Sequence, residues 1–259
     1  MMLSPLLLAS LALTGAAASS RVQYRDSKPP AFLLAGDSTT AVNGGWGNGL
    51  LATLIQPATG LNVGRSGATT ASFKADGSWS NVTDHVKQYL GDHDVYVTIS
   101  FGHNDQKDTS GVTFEQYQTN LINFAKEIQD LGGKPKSSAD EMKKLLVSSL
   151  TRRVFEGGQV VDSLHDQRLA AIEAAQQTGS SVIDLNAASM KYVNAIGQAA
   201  AYEYNWGDDK KDTTHLNPWG EVVFGRMVAD LIVDALPSVE PYITANATMS
   251  DLIANGQPA

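Results

Sequence analysis

Two short motifs at opposite ends of the chain carry the residue types of a nucleophile and its base. Gly36-Asp37-Ser38-Thr39 follows the apolar run Ala31-Phe32-Leu33-Leu34-Ala35, and Asp212-Thr213-Thr214-His215 precedes Asn217-Pro218. A serine hydroxyl is a weak nucleophile until a base takes its proton, and the base needs a third group to orient it. Ser38, His215 and Asp212 are therefore read as one candidate unit. A carboxylate three residues before a histidine on one tight loop can accept its Nδ1–H, leaving Nε2 free for a serine from another strand. Asp208 and Asp209 are less well placed for that contact. Ser66, in Gly64-Arg65-Ser66-Gly67, is a rival nucleophile after a weaker strand. Each motif alone also has a bland reading: Gly-Asp-Ser is a common turn sequence, and Asp212 closes a charged stretch that suits a solvated loop.

Acyl transfer also needs donors aimed at a developing oxyanion. The backbone N–H groups of Ser38 and Gly64 and the side-chain amide of Asn104, in Gly102-His103-Asn104-Asp105, are candidates. These residues and Arg152-Arg153 each sit just past an apolar, β-branched run. Strands are expected at residues 31–35, 95–101, 145–150 and 181–185, with 61–63 a weaker fifth. Helical patterns lie between and after them, at about residues 47–56, 81–90, 113–131, 164–177 and 218–235. Such alternation implies a mostly parallel sheet covered on both faces. In an open parallel sheet the carboxyl ends of the strands share one edge, where ligands bind. One active site at that edge is the economical reading.

The 259 residues, 42% apolar, suit one large domain or two small ones, and one is simpler. Residues 1–18 contain no charged side chain, and their Leu-rich stretch ends in Ala16-Ala17-Ala18, the pattern of a secretory signal peptide. The apolar run is too short for a membrane anchor. The mature chain would keep the net charge of −8 with no basic stripe, which argues against nucleic acid. The absence of cysteine excludes thiol nucleophiles and thiolate metal sites. Asn81-Val82-Thr83 and Asn246-Ala247-Thr248 are glycosylation acceptors in a eukaryotic secretory route. His85, His93 and His165 read as surface residues. A metal site from His103, Asp105 and His215 has no spaced ligand motif behind it. Gly45-Trp46-Gly47-Asn48-Gly49 lacks dinucleotide spacing and suits tight packing at a helix start. No Gly-x-Ser-x-Gly elbow occurs. Residues 134–144, Lys134 to Lys144, read as a polar surface insertion, and the chain from about Pro237 as a stretch that either wraps the surface or is mobile.

Together the blocks around Ser38, Gly64, Asn104 and His215 resemble those of the SGNH, or GDSL-type, hydrolases, most closely a fungal rhamnogalacturonan acetylesterase-like branch. Ser148-Ser149-Leu150-Thr151-Arg152-Arg153 is similar to that branch too; the missing cysteines and the charged insertion depart from it. The resemblance implies a three-layer α/β/α sandwich on a five-stranded, flavodoxin-like sheet, formed by one domain from residue 19 to 259 with its core at about 30–236. It implies a secreted, cofactor-free, metal-free serine esterase, with Ser38 as nucleophile, His215 as base, Asp212 as orienting acid and Ser38, Gly64 and Asn104 as oxyanion hole. The expected partner is an acetylated pectic polysaccharide, and the expected state is a monomer. Arg65, Arg152 and Arg153 at the crevice rim are candidates for uronate carboxylates, and Trp46 or Trp206 for stacking on sugar faces. A lipid or aryl esterase and a non-catalytic polysaccharide binder are the alternatives.

Overall fold

The computed structural model describes residues 28–132 and 143–259. The candidate leader at 1–18 and most of the expected insertion lie outside the described residues. In chain order the first half contains β1 (Pro30–Gly36), α1 (Gly47–Leu51), β2 (Thr59–Asn62), α2 (Thr70–Ala75), α3 (Ser78–Tyr89), β3 (Asp94–Ser100) and α4 (Phe114–Leu131). The second half contains β4 (Lys143–Val147), a small hairpin of β5 (Phe155–Glu156) and β6 (Gln159–Val160), α5 (His165–Thr178), β7 (Ser181–Ile183) and α6 (Leu185–Tyr202). A second hairpin, β8 (Asn205–Trp206) with β9 (Asp212–Leu216), leads into α7 (Pro218–Ala235) and α8 (Ala247–Ala254).

The main sheet has the order β2-β1-β3-β4-β7, and all its pairings are parallel. Every residue of β1 is buried, as a strand covered on both faces requires. Successive side chains point to opposite faces, so β1 feeds two cores. Phe32 and Leu34 pack with Leu145, Leu50, Tyr192 and Phe224 on one side. Leu33 and Ala35 pack with Val97, Leu146, Phe124 and Ala174 on the other. Helices therefore cover both faces in three layers.

On the first face α1 lies against α7, and glycine permits the approach: a Cβ on Gly49 would run into the Glu221 carbonyl. Helix α7 begins as its residues demand. Asn217 accepts a hydrogen bond from Gly220 N at 2.9 Å, and Pro218 occupies the first turn, where its missing N–H costs nothing.

Two expectations are corrected. Lys143 and Lys144 belong to β4 rather than to an insertion, because Lys144 is buried and donates from Nζ to Thr178 O at 3.1 Å and Gln129 Oε1 at 3.2 Å. That strand ends at Val147, where Ser148 and Ser149 turn their hydroxyls to Asp184 Oδ1 and Phe101 O. Of the two readings of the chain beyond Pro237, the structure takes the packed one: Val239 and Ile243 are buried, and Met249 and Ile253 of α8 pack on the first core. Among the described residues no helix is long and apolar enough to cross a membrane. Asn81 and Asn246 are both exposed.

Because Leu34 is fully buried two residues before the end of β1, Leu34→Ala should cost about 2–5 kcal/mol. Urea unfolding is expected to show a lower midpoint at unchanged slope.

Candidate active site

Ser38 stands on the turn after β1, at the point between β1 and β3 where the strand order reverses and open α/β sheets form their crevice. Asp37 shapes that turn. Its N–H reaches back to Ser100 O of β3, and its Oδ1 accepts from Thr39 N at 2.9 Å and Thr39 Oγ1 at 2.8 Å. The carbonyl of Asp37 accepts from Thr40 N and Ala41 N. Among the described residues Ser38 N–H has no hydrogen-bond acceptor, and Ser38 itself is 9% exposed.

The candidate base and its acid come from the second hairpin. Asn205 pairs with Leu216 and Trp206 with Asp212, so residues 213–215 bulge out of the ladder. The expected tight loop is thus a bulged strand. The bulge folds Asp212 back on His215: Oδ2 faces Nδ1 at 2.7 Å, and Oδ1 accepts from Thr214 N and His215 N at 3.0 Å each. His215 Nε2 then faces Ser38 Oγ at 2.8 Å. Burial raises the Asp212 carboxyl, but the hydrogen bonds from His215 and Thr214 outweigh it and hold the pKa below its ordinary value. An ionised Asp212 fixes the tautomer that leaves Nε2 able to take the serine proton. Residues 177 positions apart therefore form a continuous relay.

The family model described as GDSL-like Lipase/Acylhydrolase matches residues 32–226, from β1 into α7. The chain belongs to that family. It is a carboxylic ester hydrolase. Two curated relatives from Bacillus subtilis (strain 168) are similar to it. One, "Rhamnogalacturonan acetylesterase RhgT", is 28% identical over 78% of this chain and 89% of its own length. The other, "Probable rhamnogalacturonan acetylesterase YesY", is 24% identical over 81% and 96%. Both are bacterial and do not speak to a fungal branch. Among solved structures, protein YxiM of Bacillus subtilis superposes with a TM-score of 0.64 at 18% identity, over 80% of this chain and 57% of that one. Axe2, an acetylxylan esterase from Geobacillus stearothermophilus, superposes with a TM-score of 0.55 at 20% identity, over 81% and 94%. These two likenesses bear on the fold.

The three expected oxyanion donors stand in unequal states. Asn104 Nδ2 donates to Ala68 O at 3.0 Å, which occupies one of its two hydrogens, while its Oδ1 accepts from Lys107 Nζ at 2.7 Å. Gly64 N–H donates to Asn62 Oδ1 at 3.0 Å, so it reaches a substrate only as a shared donor. Asn62, which sequence reasoning did not single out, is held in turn by Thr40 O at 2.8 Å and Asn48 Oδ1 at 3.0 Å. Glycine is required at 64, because a Cβ there would lie 2.6 Å from Ala41 N.

The expected substrate contacts fare differently. Arg65 turns away to Asp76 at 2.6 Å and Ser72 Oγ at 3.0 Å, which leaves its guanidinium committed. Arg152 stays beside the oxyanion loop, with Nη2 3.4 Å from His103 O and Nη1 3.2 Å from Ser163 Oγ. Trp206 is exposed and pairs across the ladder with Asp212. Arg153, expected at the rim, and Trp46, a candidate for stacking on sugar faces, are fully buried. Trp46 fills the first core; Arg153 lies behind the histidine strand. His93, expected on the surface, is half-buried and meets Tyr89 edge-on at 5.2 Å. Among the described residues no three His, Asp or Glu side chains gather as metal ligands, so His103, Asp105 and His215 do not assemble such a site.

Beneath the nucleophile turn lies a buried polar group of Asp37, His103 and Asp105. His103 Nδ1 is 3.7 Å from Asp37 Oδ2. Burial pushes the Asp37 carboxyl up, and contacts with His103 and Thr39 bring it below its ordinary range. Asp105 goes the other way: burial outweighs its bonds from Thr70, and its pKa rises from 3.8 to about 6. The folded chain then binds the Asp105 proton more tightly than the unfolded chain does. That contribution to stability is complete below about pH 4 and is lost as pH rises through about 6. Relative to Asp105→Asn, the wild type should lose on the order of 1–3 kcal/mol across that interval. Melting curves of both proteins at stepped pH check this; parallel curves would contradict it.

Proposed function

We propose that this hydrolase is a secreted polysaccharide acetylesterase that removes acetyl groups from rhamnogalacturonan through an acetyl-serine intermediate. The observation that carries the mechanism is the relay from Ser38 Oγ to His215 Nε2 at 2.8 Å and from His215 Nδ1 to Asp212 at 2.7 Å, with Ser38 N–H beside it unpaired among the described residues. The substrate reading is supported by the relative named as a rhamnogalacturonan acetylesterase, which aligns over 89% of its length.

In the proposed reaction His215 Nε2 takes the Ser38 proton as Oγ attacks the acetyl carbonyl. Ser38 N–H and the remaining Asn104 N–H stabilise the tetrahedral oxyanion, with Gly64 N–H as a shared third donor. Collapse breaks the bond to the sugar oxygen, which leaves as a hydroxyl carrying the proton from His215. Water, deprotonated by the same histidine, then releases acetate and regenerates Ser38. Asp212 stays ionised throughout and stabilises the imidazolium formed in each half-reaction. The serine is flanked by the polar Asp37 and Thr39, with His103 Nδ1 3.7 Å from Asp37 Oδ2. Such walls suit a short acyl group on a sugar better than a long apolar chain.

Acetate release from acetylated rhamnogalacturonan should vanish in Ser38→Ala and fall on the order of 10²-fold in kcat for Asn104→Ala, both proteins remaining folded. Xylan, aryl acetates and long-chain esters serve as comparison substrates. A preference for long-chain esters, or an unchanged rate in Ser38→Ala, would overturn the reading.

A further inference from the structure

Arg153 is the largest buried cation near the active site, and it is placed without the usual compensation. Its side chain is fully buried, yet among the described residues no carboxylate lies within ion-pair distance of it. A buried charge left unpaired by a carboxylate is costly and calls for a role. Its contacts converge on the bulge that carries the base. Nη2 donates to His215 O at 2.6 Å, Nε donates to Asn205 Oδ1 at 2.5 Å, and the backbone N–H donates to Thr213 O at 2.8 Å. One residue thus holds the carbonyls on both sides of Thr214 and the hairpin strand facing them.

We infer that Arg153 is a positioning residue for the catalytic base, clamping the bulge of β9 so that His215 meets both Asp212 and Ser38. This rests on the reading of His215 as the base. Burial lowers the Arg153 pKa to about 9 and the Asp212 charge opposes that fall, so the guanidinium remains charged at neutral pH and senses the acid of the relay. The other groups around the base are identifiable. Asp212 lies on its own strand and Ser38 opposite. Glu221 of α7 accepts from Gly44 N at 2.6 Å, and Gly44 lies against the His215 ring. Lys210 and Lys211, in the turn of the same hairpin, are paired with Glu203 and Asp209. None of these supplies a second buried cation at the histidine.

The test uses full-length protein and a small aryl acetate, which reports on the relay independently of the polymer. Ser38→Ala, run alongside, asks whether the serine reading itself holds. With folding confirmed by near-ultraviolet circular dichroism, Arg153→Gln should lower kcat on the order of 10- to 10²-fold at nearly unchanged KM, as loss of alignment at the reacting groups does. Arg153→Lys keeps the charge but not the fork, so it should recover kcat only in part. A folded Arg153→Gln with wild-type kcat would overturn the inference. Should that variant not fold, Arg153→Lys decides alone: reduced kcat at constant KM supports the clamp, and wild-type kcat refutes it.

Discussion

Asp212 and His215 are three residues apart on one extended segment, and a regular strand would point them to opposite faces of its ladder. Their contact at 2.7 Å exists because residues 213–215 leave the ladder between the Trp206–Asp212 and Asn205–Leu216 pairs. The proposed chemistry depends on that bulge. Several groups hold it: Asp212 Oδ1 accepts the amides of Thr214 and His215, Gly44 O accepts Leu216 N, and Arg153 grips the carbonyls of Thr213 and His215. Bulges commonly re-aim side chains beside active sites. Here one lets an acid and a base from the same strand cooperate.

The sheet supplies the other half of the geometry. Parallel pairing of β1 with both β2 and β3 brings the turns after these strands, which carry Ser38, Gly64 and Asn104, to one edge of the sheet. Burial of β1 on both faces anchors the serine turn to two cores at once. Among the described residues, buried polar atoms without a hydrogen-bond partner also collect here: Asp37 Oδ2, Thr40 Oγ1, Ser100 Oγ, Asp105 Oδ2 and both ring nitrogens of His103. Local rules are most often broken at functional sites. The raised Asp105 carboxyl and the lowered Asp37 carboxyl show two acids in one loop cluster driven apart by environment.

Much of the fold was legible because strands buried on both faces are continuous apolar runs, and β1, β3 and β7 fall where those runs stand. The helix after Asn217-Pro218 was readable from its cap and proline alone. Helix α6 was hidden: its Ala-, Asn- and Ser-rich sequence has a weak apolar stripe, and Gly197, at φ 79°, breaks its regularity. Strand β4 was misjudged at both ends because Lys144 looks like surface in sequence, while in space a carbonyl and an amide satisfy its ammonium. The triad residues could be named from type and order. The bulge could not, since it arises from pairing with β8, a strand of two residues. For the same reason Arg153 looked like a rim residue: composition cannot tell a solvated guanidinium from one buried behind a backbone carbonyl. Asn62 gave no signal at all, because its importance lies in which three groups it happens to touch.

The central claim is that Ser38, activated through His215 and Asp212, carries the acyl group during turnover. Acid-quenching the enzyme during hydrolysis of an activated acetyl ester, followed by mass mapping of its peptides, tests it directly. The account expects one acetyl group, confined to the peptide containing Ser38, greatly diminished in His215→Ala. Acetyl on another residue, Ser66 included, or steady turnover with no acetylated peptide at any quench time, would contradict it.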